Sequence, residues 1–170
     1  MKRCIAYLSI LVLTITLGAC GLNVFSPPSV EKMDEFVTEH KQKIDMINTY
    51  LLELESGNVH VISKDGSVLI DVGQPEIERQ VIDNDAVREA VRFLWRSGCI
   101  GISKNTRSNA IVYKMWKRTY DEAVGGFVYA IDPSLSPEAQ FQTELTPLSS
   151  EGWYYYLAEY NKWRIEHGTN

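Results

Sequence analysis

His40, His60 and His167 are the only histidines in this chain of 170 residues, and Cys4, Cys20 and Cys99 are its only cysteines. A zinc site draws His, Cys or carboxylate ligands from short, recurring spacings, and no histidine here has such a neighbour. No metal and no cofactor is therefore expected. The chain has no Gly-x-Ser-x-Gly elbow and no Cys/His pair with local context for nucleophilic catalysis. Gly125-Gly126 is an isolated pair between two strand-like segments and reads as a turn rather than a phosphate cradle. Asp121, Glu122 and Asp132 are carboxylates that acid–base chemistry could use. Among 22 Asp and Glu residues such neighbours arise by chance, and they read as a solvated face. The inventory points to binding rather than catalysis, and the chain is expected not to be an enzyme.

Two aromatic stretches carry more information. In "EGWYYYLAEYNKWRIEH" a strand would place Trp153 and Tyr155 on one face and Tyr154 and Tyr156 on the other, so both faces carry large amphipathic rings. In "AIVYKMWKR" the same alternation groups Ile111, Tyr113 and Met115 as an apolar face. It sets Lys114, Trp116 and Arg118 together on the opposite, basic face. Exposed Trp, Tyr and Arg are favoured anchors at interfaces, which makes Lys114, Trp116, Arg118, Trp153, Tyr154 and Tyr156 the candidate partner-binding residues. On a solvated sheet, long Lys and Arg stems shielding the indole would produce the same pattern.

The elements that must position these residues are legible from periodicity. Val30, Met33, Val37, Ile44, Ile47, Leu51 and Leu54 recur at helical spacing, with His40 in the one vacant place, so a long helix is predicted from Val30. Ser29 is its expected N-cap and Gly57 its expected stop. "NVHVISKDGSVLIDV" predicts a hairpin, since Asp65-Gly66 suits a type I′ turn. A second helix is predicted near 85–97, capped by Asn84 or Asp83 and ended by Gly98. Strands are expected near 99–104, 109–117, 126–132, 140–146 and 152–158. In "QFQTELT" alternation places Phe141, Thr143 and Leu145 on one face. The fold class is α+β: a long N-terminal helix and a second, shorter helix packed on a mainly antiparallel sheet of about five to seven strands. Cys99, beside Ile100 and Ile102 and without a partner thiol, is expected in the core.

The start of the chain is different in kind. Lys2 and Arg3 precede an apolar segment, Ile5 to Leu17, too short to span a bilayer and followed by Asn23, Ser26 and Pro27-Pro28. Its end, Leu17-Gly18-Ala19-Cys20, resembles the lipobox of bacterial lipoproteins, although Gly18 is a permissive residue at its place. The resemblance covers residues 1–20 and implies that the Cys20 thiol is diacylglycerylated and becomes the first residue of the mature protein. Two acyl chains hold a protein at a membrane far better than one. Residues 1–19 are then a signal peptide, 20–28 a lipid-anchored tether and 29–170 a single domain, which no further resemblance identifies.

Removing residues 1–19 takes away two basic residues and no acid, so the formal net charge of −5 moves to about −7. Such a surface repels nucleic acid, and none is expected as a partner. The expected function is a non-catalytic module of the bacterial cell envelope, on its periplasmic or outer-membrane face. It would touch the membrane through lipid on Cys20 and bind a protein partner. One version is an inhibitor or immunity-type protein that neutralises a toxin. A second is an assembly factor pairing through its long helix, and an envelope hydrolase ranks last.

Overall fold

The computed structural model describes residues 26–73, 76–119 and 122–168. Cys20, the signal-like segment, most of the tether and Asp121 lie outside these residues. Helix α1 (Val30–Glu53) begins where the sequence predicts, because the Ser29 side chain accepts from the Lys32 amide at 3.4 Å and satisfies one of the helix's orphan donors. Its seam of Met33, Val37, Ile44, Ile47 and Leu51 is buried. Among the described residues no helix is long and apolar enough to cross a membrane.

The Asp65-Gly66 turn, with both residues at positive φ (52° and 78°), closes the hairpin of β1 (Asn58–Lys64) and β2 (Ser67–Val72). Helix α2 (Asp85–Arg96) starts at Asn84, whose side chain accepts from the amides of Ala86 and Val87, and ends where Gly98 turns at φ 97°. Strands β4 (Gly101–Asn105), β5 (Ala110–Arg118), β6 (Ala123–Ala130), β7 (Gln142–Pro147) and β8 (Trp153–Glu159) correspond to the predicted segments, except that β6 starts early and takes in Gly125-Gly126, which pair within the sheet instead of forming a turn. With β3 (Glu78–Val81) they form one eight-stranded sheet, wholly antiparallel, in the order β3-β2-β1-β4-β5-β6-β8-β7.

The α+β class therefore holds, but the sheet has eight strands rather than five to seven. The additional strand is β3, an edge strand of four exposed residues with no buried face to print a period on the sequence. A third helix, α3 (Tyr160–Glu166), occupies what reads as a C-terminal tail and packs beside β7 and β8. Gly57 is not the stop of α1, which ends at Glu53. A Cβ at Gly57 would sit 2.5 Å from the Thr106 hydroxyl, so a larger residue there would have to turn that side chain aside.

Both α1 and α2 lie on one face of the sheet. Beneath them Val59, Val61, Val68, Ile70, Ile102, Ile111, Tyr113, Phe127, Trp153 and Tyr155 complete one continuous core. His40 fills its place in the seam by standing edge-on between Phe36 and Phe93, at 4.6 and 4.8 Å, and so joins α1 to α2. Cys99 is buried, and that burial pushes its thiol up to about 11.

The C-terminus of α1 has no basic residue in its last turn and is capped from a distance instead. The buried Lys104 of β4 donates to the carbonyls of Leu51 and Leu54 at 2.7 and 2.8 Å. An ammonium there meets both the orphan carbonyls and the negative end of the helix dipole. Replacing Lys104 by Met leaves those carbonyls unpaired under the hairpin, so Lys104→Met is expected to lower the unfolding free energy by about 2 kcal/mol. Urea denaturation with an unchanged slope checks this, and a wild-type midpoint would remove the cap from the account.

Candidate functional site

The opposite face of the sheet is covered by neither α1 nor α2. Its side chains follow from the register. Asp71 stands opposite Arg79 on one side and His60 on the other, and His60 stands opposite Ser103. The same row continues through Val112 and Val128 to Tyr154. Half of this uncovered face is thus polar and half is apolar. One step along the strands, Lys114 lies opposite Gly101 and Gly126, and Gly126 lies opposite Tyr156. The lysine stem runs along the empty side of Gly101, where a Cβ would be 3.4 Å from its Cδ.

Arg79 clamps Asp71 with two hydrogen bonds, Nε to Oδ1 at 2.7 Å and Nη2 to Oδ2 at 2.9 Å. These hold the Asp71 carboxyl below its ordinary value, with lesser help from His60. The carboxylate's charge is therefore largely spent on the guanidinium. Lys114 and Ser103 form no side-chain hydrogen bond or ion pair among the described residues. His60 and Ser103 face each other but share no hydrogen bond, the link that a nucleophile and its base require.

Two clefts adjoin here. One, of about 360 Å³, runs over β2, β1 and β4 toward Ile77. The other, of about 230 Å³, runs over β4, β5, β6 and β8. His60, Ser103 and Lys114 line both. The second is roofed by residues 137–141, which cross the open face as a strap. Its near end is fixed by the Glu138 amide donating to the Ser108 carbonyl at 2.8 Å. At the far end the Glu159 amide donates to the Phe141 carbonyl at 3.2 Å, and the Phe141 ring meets Tyr160 and Trp163. Phe141 pays for this with a left-handed backbone, φ 58°, which costs a bulky residue roughly 1–3 kcal/mol. Under the strap Ala110, Val128, Tyr156 and Ala158 are buried, and the Tyr156 hydroxyl has no hydrogen-bond partner among the described residues.

The six residues singled out from the sequence are not one patch. A β-bulge between Lys114 and Trp116 sets Met115 and Trp116 together against Gly125, so alternation restarts after it. Lys114 stays on the open face. Trp116 and Arg118 move to the helix-bearing side, where Arg118 lies 5.4 Å over the indole and pairs with Glu159 at 3.7 Å. The bulge requires Gly126, whose Cβ would be 2.1 Å from the Tyr113 carbonyl oxygen. Trp153 is buried in the core against Phe127 and Tyr129, and Tyr156 is buried beneath the strap, so neither offers an exposed ring. Tyr154 is half-buried on the open face, as alternation predicts. A second bulge, between Gln142 and Glu144, breaks the alternation expected of Phe141, Thr143 and Leu145.

His60, Asp71 and Ser103 were missed as a group. The signal for the first pair was present: a two-residue turn at Asp65-Gly66 pairs Lys64 with Ser67 and hence His60 with Asp71. Ser103 needed the β1–β4 pairing, which no local pattern announces. Among the described residues, no three His, Cys, Asp or Glu side chains are grouped to hold a metal ion. Comparison with family models, with curated proteins and with solved structures finds no match for this chain.

The unpartnered hydroxyl of Tyr156 carries a desolvation cost that its ring does not. Tyr156→Phe is expected to leave stability unchanged or raise it by up to about 1 kcal/mol, whereas Tyr156→Ala empties the strapped cluster and costs about 3 kcal/mol or more. Thermal and urea unfolding of the two variants check the pair, and a large loss in the Phe variant would mean that the hydroxyl is tied within the fold.

Proposed function

We propose that this chain is a lipid-anchored, non-catalytic protein of the bacterial cell envelope that holds a protein partner on the open face of its sheet. One observation carries the reading: α1 and α2 cover a single face of an eight-stranded sheet. The other presents uncommitted donors beside a half-buried aromatic and apolar strip. Polar and apolar surface side by side, with a tyrosine among the apolar residues, suits an interface. The anchor rests on the sequence, through the lipobox-like residues that end at Cys20.

The alternative of an assembly factor pairing through its long helix is less well supported, since the apolar seam of α1 is consumed by its own sheet. For the hydrolase reading, no nucleophile on the open face is hydrogen-bonded to a base among the described residues. An inhibitor or immunity-type role remains one version of the proposed function, because occupying a partner's surface needs no chemistry beyond recognition.

Two outcomes test the proposal. Cys20→Ala is expected to abolish acylation, moving the protein from the membrane fraction to the soluble one or leaving it uncleaved; mass spectrometry of a mature chain that starts elsewhere without acyl mass would remove the anchor. Tyr154→Ala is expected to weaken capture of the partner from solubilised envelope at least tenfold, with a thermal midpoint within about 2 °C of wild type, since only an anchor ring is lost. Unaltered capture would move the binding surface off the open face.

A further inference from the structure

We propose that the strapped cleft is a binding site for a single carboxylate attached to a small apolar group, such as the free C-terminal residue of an extended chain. The inference rests on the reading of the open face as a binding surface and names the chemistry that it would take.

Donors decide the charge of the ligand. Lys114 brings an ammonium with three N–H groups and Ser103 a hydroxyl, and neither is answered by an acceptor side chain among the described residues. His60 stands beside Ser103 in the same lining. Tyr156 adds a buried phenol with no partner, a group whose desolvation is offset only when a polar atom meets it. Asp71, across from His60 in the hairpin, is already held by Arg79. A carboxylate set among Lys114, Ser103 and Tyr156 would accept charge-assisted hydrogen bonds that the fold itself does not supply.

The acidic residues of the cleft limit the ligand. Glu122 and Glu138 line the cleft as well, so a second negative charge would be repelled, and a monoanion suits the site better than phosphate or a dicarboxylate. Ala110, Val112, Val124 and Ala158 form an apolar floor under the strap. At about 230 Å³ the space is below the range of roughly 300–1,000 Å³ that drug-sized ligands fill, and it fits one aliphatic side chain with its carboxylate. The strained Phe141 backbone and the fixed ends of the strap show that this roof is held in place rather than draped.

The test titrates the full chain, isotope-labelled and held in detergent, with N-acetyl-leucine, N-acetyl-leucinamide and hexanoate, and follows backbone amide resonances. N-acetyl-leucine is expected to give saturable shifts at Ser103, Lys114 and Tyr156, and the amide, which lacks only the charge, is expected to give none. Lys114→Gln should weaken the acid about tenfold, and Tyr156→Phe several-fold, with the remaining spectrum unchanged in each. Equal shifts from acid and amide, shifts from neither, or wild-type affinity in Lys114→Gln would overturn the site. Hexanoate separates the sources of the carboxylate: tenfold weaker binding than N-acetyl-leucine points to a chain terminus, and equal binding to a free apolar acid. Partner capture by Lys114→Gln keeps the two proposals apart. Intact capture with lost acid binding leaves the carboxylate site standing and detaches it from the partner surface, while lost capture with intact acid binding overturns the site alone.

Discussion

The aromatic stack that crosses the middle of the sheet fixes which face the helices can cover. Tyr113 on β5 lies flat against Phe127 on β6, with centroids 4.7 Å apart and planes 15° apart, and Trp153 on β8 closes the row at 5.8 Å from Phe127. These rings cannot face water without a large loss of apolar burial. Helix α1 lies over them, and the Tyr113 hydroxyl donates to Asn48 of that helix at 2.6 Å, so the phenol of the stack is also answered. Once this face is committed to the core, strand geometry leaves every alternate residue on the other side, which neither α1 nor α2 covers. The open face is thus a consequence of how the core is packed.

Two bulges then decide what that open face contains. The one in β5 rotates Trp116 and Arg118 away from Lys114, and the one in β7 separates Thr143 from Leu145. Each inserts one residue and reverses every face assignment beyond it. Without the first, a tryptophan and an arginine would stand beside Lys114. With it, the lysine is left with His60 and Ser103 as polar neighbours, and the second bulge sets Leu145 opposite Tyr156.

Charge is distributed with the same economy. Lys104, the one buried lysine among the described residues, serves the C-terminus of α1 and stands on the helix side of β4, while Ser103, its neighbour in sequence, faces the cleft. Adjacent residues of one strand therefore hold the fold together on one face and offer a donor on the other. Asp71 and Arg79 neutralise each other at the sheet's edge, which keeps an acidic chain from filling its own open face with negative charge.

What the sequence by itself determined is what depends on neighbours close along the chain. Helical period, N-caps at Ser29 and Asn84, the Gly98 stop and the Asp65-Gly66 turn each involve residues within a few positions, and so their chemistry is written locally. The hairpin register even contained the His60–Asp71 pairing. What only the tertiary structure decided involves partners far apart: Lys104 with Leu51, Ser103 with His60, the Tyr156 ring with a strap that arrives from residues 137–141. A bulge is likewise invisible in period alone, because its extra residue is demanded by the facing strand, here by the lack of a Cβ on Gly126. The face on which Trp116 lies was therefore set by a glycine ten residues away, through a pairing that exists only when the sheet does.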